Sequence, residues 1–186
     1  IIFRRSNKIN INEFNKYYHR KIGKFYIKDC NNNILFSRTM ERYAQKKLQQ
    51  MKIEKEYICI HAREENTKLI NFYNYPGTSV CDVDIESFKS SVAYLQSLGF
   101  QVIRMGKDEK SKCEIENVID YANDFYDELM DFYLIANCKF LIGCESGLTL
   151  ITPFWGKPIL VTNVNVFCYG FESMPTTEYD LYIPKK

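Results

Sequence analysis

The chain has 186 residues, a formal charge of +2, 46% hydrophobic and 15% aromatic content. That is enough apolar material for a sizeable core, which excludes intrinsic disorder, and the charge is too nearly balanced for a nucleic-acid partner to be expected. The basic stretches HRKIGKFYIK and RYAQKKLQQMKIEK read as solvated faces. In chain order, residues 23–37 (GKFYIKDCNNNILFS) predict two short strands around an asparagine turn, a hairpin. SRTMERYAQKKLQQM then sets Met40, Tyr43, Ala44, Leu48 and Met51 at helical spacing behind Ser37 as cap. YICIHAR is a strand, followed by a polar and aromatic loop over residues 65–82, a length that in compact domains is often functional. DIESFKSSVAYLQSLG is a helix with Ile85, Phe88, Val92 and Leu95 on one face, closed by Gly99. FQVIRMG and ENVIDYA are strands, and DELMDFYLIANC is a strongly apolar helix. KFLIGCESGLTLITPFWGKPILVTN reads as strand, turn, helix and strand, and EYDLYI as a last strand.

Seven cysteines, none in C-x-x-C spacing, argue against a disulfide framework and for a reducing compartment. Cys59, Cys138 and Cys144 fall in or beside apolar runs, where free cysteine behaves as a small buried hydrophobe. Two histidines leave no room for a histidine-rich metal site, and no metal is expected. No apolar run reaches the roughly 18 residues of a membrane span, and no signal-peptide pattern is present, so a cytoplasmic location is expected. The first residue is Ile1, not methionine, which predicts a piece of a longer protein: residues 1–55 a remnant of an N-terminal region with hairpin and linking helix, residues 56–186 the main domain.

Strands alternating with helices predict an α/β fold, a Rossmann-like parallel sheet with helices on both faces. Ligands on such sheets bind at the carboxyl ends of the strands, which nominates His61 and Arg63, Arg104 and Gly106, Asp120 and Tyr121, and the turn from Gly143 to Gly147. Alternation sends residues 61 and 63 to one face, where Arg63 either grips a phosphate or pairs with Glu64, Glu65 or another carboxylate. Ser146 is either an ordinary helix cap or, with Gly147, part of an anion-holding turn. Arg104 either reaches phosphate or sugar or is solvated, and Asp120 either accepts from a base or ribose, caps the next helix, or holds Arg104. Together these residues fit an anionic, hydroxyl-rich ligand such as a nucleotide sugar.

The series ICIHAREEN, DVDIESFKSSVAYLQSLGFQVIRMG, VIDYA, DELMDFYLIANCKFLIGCESGL and PFWGKPILVTN resembles, in order and spacing, bacterial surface-polysaccharide glycosyltransferases related to the fucosyltransferase-like GT-B enzymes with a His-x-Arg motif. The resemblance covers residues 57–163 and implies the C-terminal, donor-binding half of such an enzyme. It implies that Arg63 neutralises the donor diphosphate, that His61 lies near base or ribose, that Ser146 and the Gly147 amide hold phosphate oxygens, and that Asp120 lies near the base; Glu145 would turn to ribose or sugar hydroxyls. The substrates implied are a nucleoside diphosphate sugar, with kinship favouring a GDP-linked one, and a glycan or lipid-linked glycan acceptor at the inner membrane face, with peripheral association and without cofactor or metal. The alternatives from the sequence are a nucleotide-sugar epimerase, a heptosyltransferase-like enzyme, and a non-catalytic nucleotide-sugar-binding module.

Overall fold

Ser37 begins the described chain's first helix, α1 (Arg38–Gln50), accepting a hydrogen bond from the Met40 amide at 3.2 Å. The fold comes from a computed structural model, which describes residues 35–64, 82–107, 112–164 and 179–184. The hairpin expected over residues 23–37 and the loop expected over 65–82 lie almost wholly outside them. The helix α1 ends in a paired closure, with the Ile53 amide on the Leu48 carbonyl and the Lys52 amide on that of Gln49. Lys52, at φ 55°, takes the left-handed position that helix ends commonly use.

Strand β1 (Tyr57–His61) is buried along its whole length. A 3₁₀ turn (Ile85–Phe88) capped by Asp84 leads into α2 (Lys89–Ser97), then β2 (Gln101–Arg104) and the two-residue β3 (Val118–Ile119). Next come the short α3 (Tyr121–Asp124) and α4 (Glu128–Asn137), then β4 (Leu141–Gly143). The helix α5 (Gly147–Ile151) runs on into a 3₁₀ turn (Thr152–Trp155), followed by β5 (Ile159–Val164) and β6 (Leu181–Pro184).

Among the described residues the six strands form one sheet in the order β3-β2-β1-β4-β5-β6, every neighbouring pair parallel. Alternation along β1 divides the core. Tyr57 and Cys59 face a cluster holding Ala44 and Met51 around α1 with Met130, Tyr133, Leu134 and Ile135 of α4. Ile58 and Ile60 face the opposite cluster with Ile85, Phe88, Val92 and Leu95, the four residues that helical spacing places together. The expected doubly covered Rossmann-like sheet is therefore what forms, because strands apolar on both faces need a helix layer on each. Cys59, Cys138 and Cys144 are fully buried free thiols.

Side chains of α1 also fasten α4. Asp127 caps α4 through the Leu129 amide, and its other oxygen takes the Tyr43 hydroxyl with Lys47 3.3 Å away. Tyr133 donates to Glu41 at 2.9 Å. Among the described residues no helix is long and apolar enough to cross a membrane.

Candidate functional site

In the order 3-2-1-4-5-6 the chain leaves β1 toward one edge of the sheet and β4 toward the other. The loops after these two strands part there, opening the crevice where ligands of doubly wound sheets bind. His61-Ala62-Arg63 leaves β1 on one side, and Cys144-Glu145-Ser146-Gly147 leaves β4 on the other. The two segments touch: the Arg63 amide donates to the Cys144 thiol sulfur at 3.0 Å.

The turn after β4 is built by close approach. Thr149, fully buried, donates its hydroxyl to the Cys144 carbonyl at 2.7 Å, and Ser146 caps α5 at the Thr149 amide. A Cβ on Gly143 would stand 2.7 Å from the Thr149 Oγ1 and 3.0 Å from a Leu141 methyl, so glycine lets the helix close onto the strand end. Gly147 differs: an added side chain there meets nothing within 4 Å of the protein. Glu145 and Ser146 are half-buried beside it.

His61 continues the inward row of Tyr57 and Cys59 and is 7% exposed. Its Nδ1 lies 3.1 Å from the Met105 carbonyl, which can only accept, so the proton sits on Nδ1 and Nε2 carries the lone pair. Burial holds the imidazole below the ordinary histidine range, and the charges of Arg104 and Arg63 push the same way against the Met105 bond. The turn after Met105 passes through Gly106 at φ 149°, a backbone conformation that side chains rarely adopt.

Arg63 keeps its side chain 34% exposed, with its Nε 3.8 Å from Asp82, a long and loose ion pair. The Arg63 carbonyl accepts from the Val83 amide, so the backbone here is held while the guanidinium stays at the rim. Asp82, at the end of the long loop, was not among the residues that the sequence pattern nominates, and no local signal distinguishes it from its neighbours.

Arg104, Asp120 and Tyr121 turn inward. Arg104 is fully buried, bonded to Glu64 at 2.7 Å and to Asp120 at 3.2 Å. Of the openings the sequence leaves for Asp120, the geometry takes the one in which it holds Arg104; it makes no side-chain cap on α3. Tyr121 is fully buried, and its hydroxyl bonds both the amide and the carbonyl of Asp127. The Arg63 backbone and the turn after β4 are thus in contact through Cys144, whereas His61, Arg104, Asp120 and Tyr121 are buried.

No known family's sequence model matches the chain, and no curated protein matches it. Among solved structures, the chain is similar to the glycosyl transferase family 9 protein from Veillonella parvula DSM 2008. The TM-score is 0.56 at 16% identity over 81% of this chain, and the chain spans 41% of that protein's length. Weaker likenesses are to the iron-containing dodecameric glycosyltransferase TibC from enterotoxigenic E. coli H10407 (TM-score 0.47, 16% identity, 69% of this chain and 31% of that one). A further match, TM-score 0.43 at 18% identity, is to the dodecameric iron-containing heptosyltransferase TibC in complex with ADP-D-beta-D-heptose, covering 69% of this chain and 32% of that one. The shared fold rests on the first.

Proposed function

We propose that this chain is the donor-binding part of a GT-B glycosyltransferase, which transfers a sugar from a nucleoside diphosphate sugar to a glycan acceptor. One observation carries the reading: a partly exposed arginine and a small-residue turn flank the crevice between β1 and β4. The fold likeness to the Veillonella protein supports it. In this reading the diphosphate takes the Arg63 guanidinium from Asp82. A 3.8 Å ion pair between partly exposed groups contributes little, whereas a guanidinium fork matches two phosphate oxygens at once.

As the bond from the sugar's anomeric carbon to the diphosphate oxygen breaks, negative charge collects on the leaving diphosphate. Arg63, with the first N–H groups of α5 behind Ser146, stabilises that charge more in the transition state than in the ground state. In this reading the neutral His61 offers Nε2 as an acceptor to a ribose or base donor, and Glu145 accepts from sugar hydroxyls. The sequence resemblance to fucosyltransferase-like enzymes favours a GDP-linked donor, and the acceptor would be a glycan or lipid-linked glycan at the inner membrane face.

A calorimetric titration of the chain and of Arg63→Ala with GDP, UDP, ADP, CMP and dTDP tests this. One nucleotide is expected to bind in the micromolar range and to weaken about tenfold or more in the variant, roughly 1.4 kcal/mol. Failure of all five to bind, or binding that ignores Arg63, overturns the reading.

A further inference from the structure

We propose that Arg104 is a positioning residue for Arg63, acting through Glu64; as a role at the donor site, it rests on the function proposed above. Arg104 lies in register with Ile60, so its side chain leaves β2 on the face covered by α2 and is fully buried. From there it bridges three strand ends. Its Nη2 reaches Glu64 Oε1, beyond β1, at 2.7 Å, and its Nη1 reaches Asp120, beyond β3, at 3.2 Å. Asp120 in turn accepts from the Cys113 amide and the Asn123 side chain, both at 3.0 Å, which fastens that end of the bridge.

Glu64 follows Arg63 directly. Drawing its carboxylate inward to Arg104 anchors the chain directly after Arg63 as it leaves β1. Two backbone bonds complete the hold: the Arg63 amide on the Cys144 sulfur and the Val83 amide on the Arg63 carbonyl. The outcome is a guanidinium whose backbone is set before any ligand arrives, which lowers the ordering cost of binding. A lysine cannot copy this, because a single ammonium lacks the planar fork that serves two carboxylates on separate strands.

The test compares wild type, Arg104→Lys, Glu64→Gln, Arg63→Ala and the double variant Glu64→Gln/Arg63→Ala, all in the full chain. Glu64→Gln keeps size and an acceptor oxygen, so it guards against simple misfolding. Amide hydrogen exchange is read at Arg63 and Val83, with Cys59 in the middle of β1 as internal reference. Affinity for GDP, UDP and ADP is measured in parallel. Exchange at Arg63 and Val83 is expected to rise about tenfold in Arg104→Lys and Glu64→Gln, with Cys59 unchanged. Nucleotide affinity is expected to fall about tenfold in both, whereas adding Glu64→Gln to Arg63→Ala should cause no further loss, the signature of two residues acting as one unit. Wild-type exchange at Arg63 and Val83 in both variants overturns the positioning role, whatever binding shows. A rise in exchange together with nucleotide binding that ignores Arg63 confirms the positioning and overturns the donor-site reading.

Discussion

Arg63 and Arg104 stand at the ends of adjacent parallel strands, yet one is a third open to solvent beside a carboxylate 3.8 Å away, and the other is sealed between two carboxylates at 2.7 and 3.2 Å. The same residue type in the same kind of position has split into a cation partly open to solvent and a cation spent on architecture. What divides them is their position along the strand. Arg104 falls in the buried row of its strand, whereas Arg63 lies beyond the last paired residue of β1, where the backbone has left the sheet. A strand-end arginine is thus a candidate ligand contact only where alternation has stopped dictating its direction.

The sharpest way to break this contrast is to remove each charge. Arg104→Met leaves Glu64 and Asp120 without their cation, and loss of one partner from a buried pair costs about 3–5 kcal/mol; Arg63→Met should cost under about 1 kcal/mol. Urea denaturation of both variants reads the difference, and equal losses would abolish the distinction. The β4 turn offers a parallel on a smaller scale. Gly143→Ala drives a methyl against Thr149 and should cost about 1–3 kcal/mol, whereas Gly147→Ala enters open space and should change stability by under about 1 kcal/mol.

Asp131 supplies the most pH-dependent effect, as a half-buried carboxylate. Its Oδ1 is buried with no hydrogen-bond partner. Burial, reinforced by the Asp127 and Glu128 charges, holds its pKa up at about 6 against the ordinary 3.8, although the Tyr121 hydroxyl and Lys107 pull the other way. Between those pH values the folded chain keeps a proton that the unfolded chain has lost, so this group's contribution to stability falls as pH rises through the window. Asp131→Asn should therefore stabilise the chain at pH 7.5 by about 1–2 kcal/mol, allowing for solvent screening at its open side. The gain should vanish below about pH 4. Denaturation curves at the two pH values measure it; a gain independent of pH would mean that the ionised form is not what strains the site.

The layers of the fold were legible because their signals are local. YICIH, QVIR and ILVTN are continuous apolar or alternating runs, and Ile85, Phe88, Val92 and Leu95 repeat with a helical period. The expectation of a parallel, doubly covered sheet follows from that alternation alone. One contact was legible in outline: the strand-end rule led to the β1 and β4 turns, which the fold brings together. It could not separate Arg63 from Arg104, because Arg104 is defined by Glu64, forty positions earlier, and Asp120, sixteen later. A signal was present nonetheless, since Arg104 shares the row of Val102, and a residue in that row of a doubly covered sheet is bound to be buried. Asp82 had no comparable signal; its pairing with Arg63 joins residues nineteen positions apart.

The pairing of β1 with β4, Cys59 opposite Leu141, also sets the order in which the molecule can be made. During synthesis β1, β2 and β3 leave the ribosome first and can pair among themselves, while β1 keeps one edge unpaired across a span of roughly eighty residues. Closing that span joins the two halves of the sheet and, in the same event, creates the crevice between them. A nascent chain stopped before Leu141 carries an apolar central strand with an open edge, a template for association with other chains. The crevice therefore cannot exist until β4 has followed the first three strands, and β5 and β6 extend the sheet beyond it.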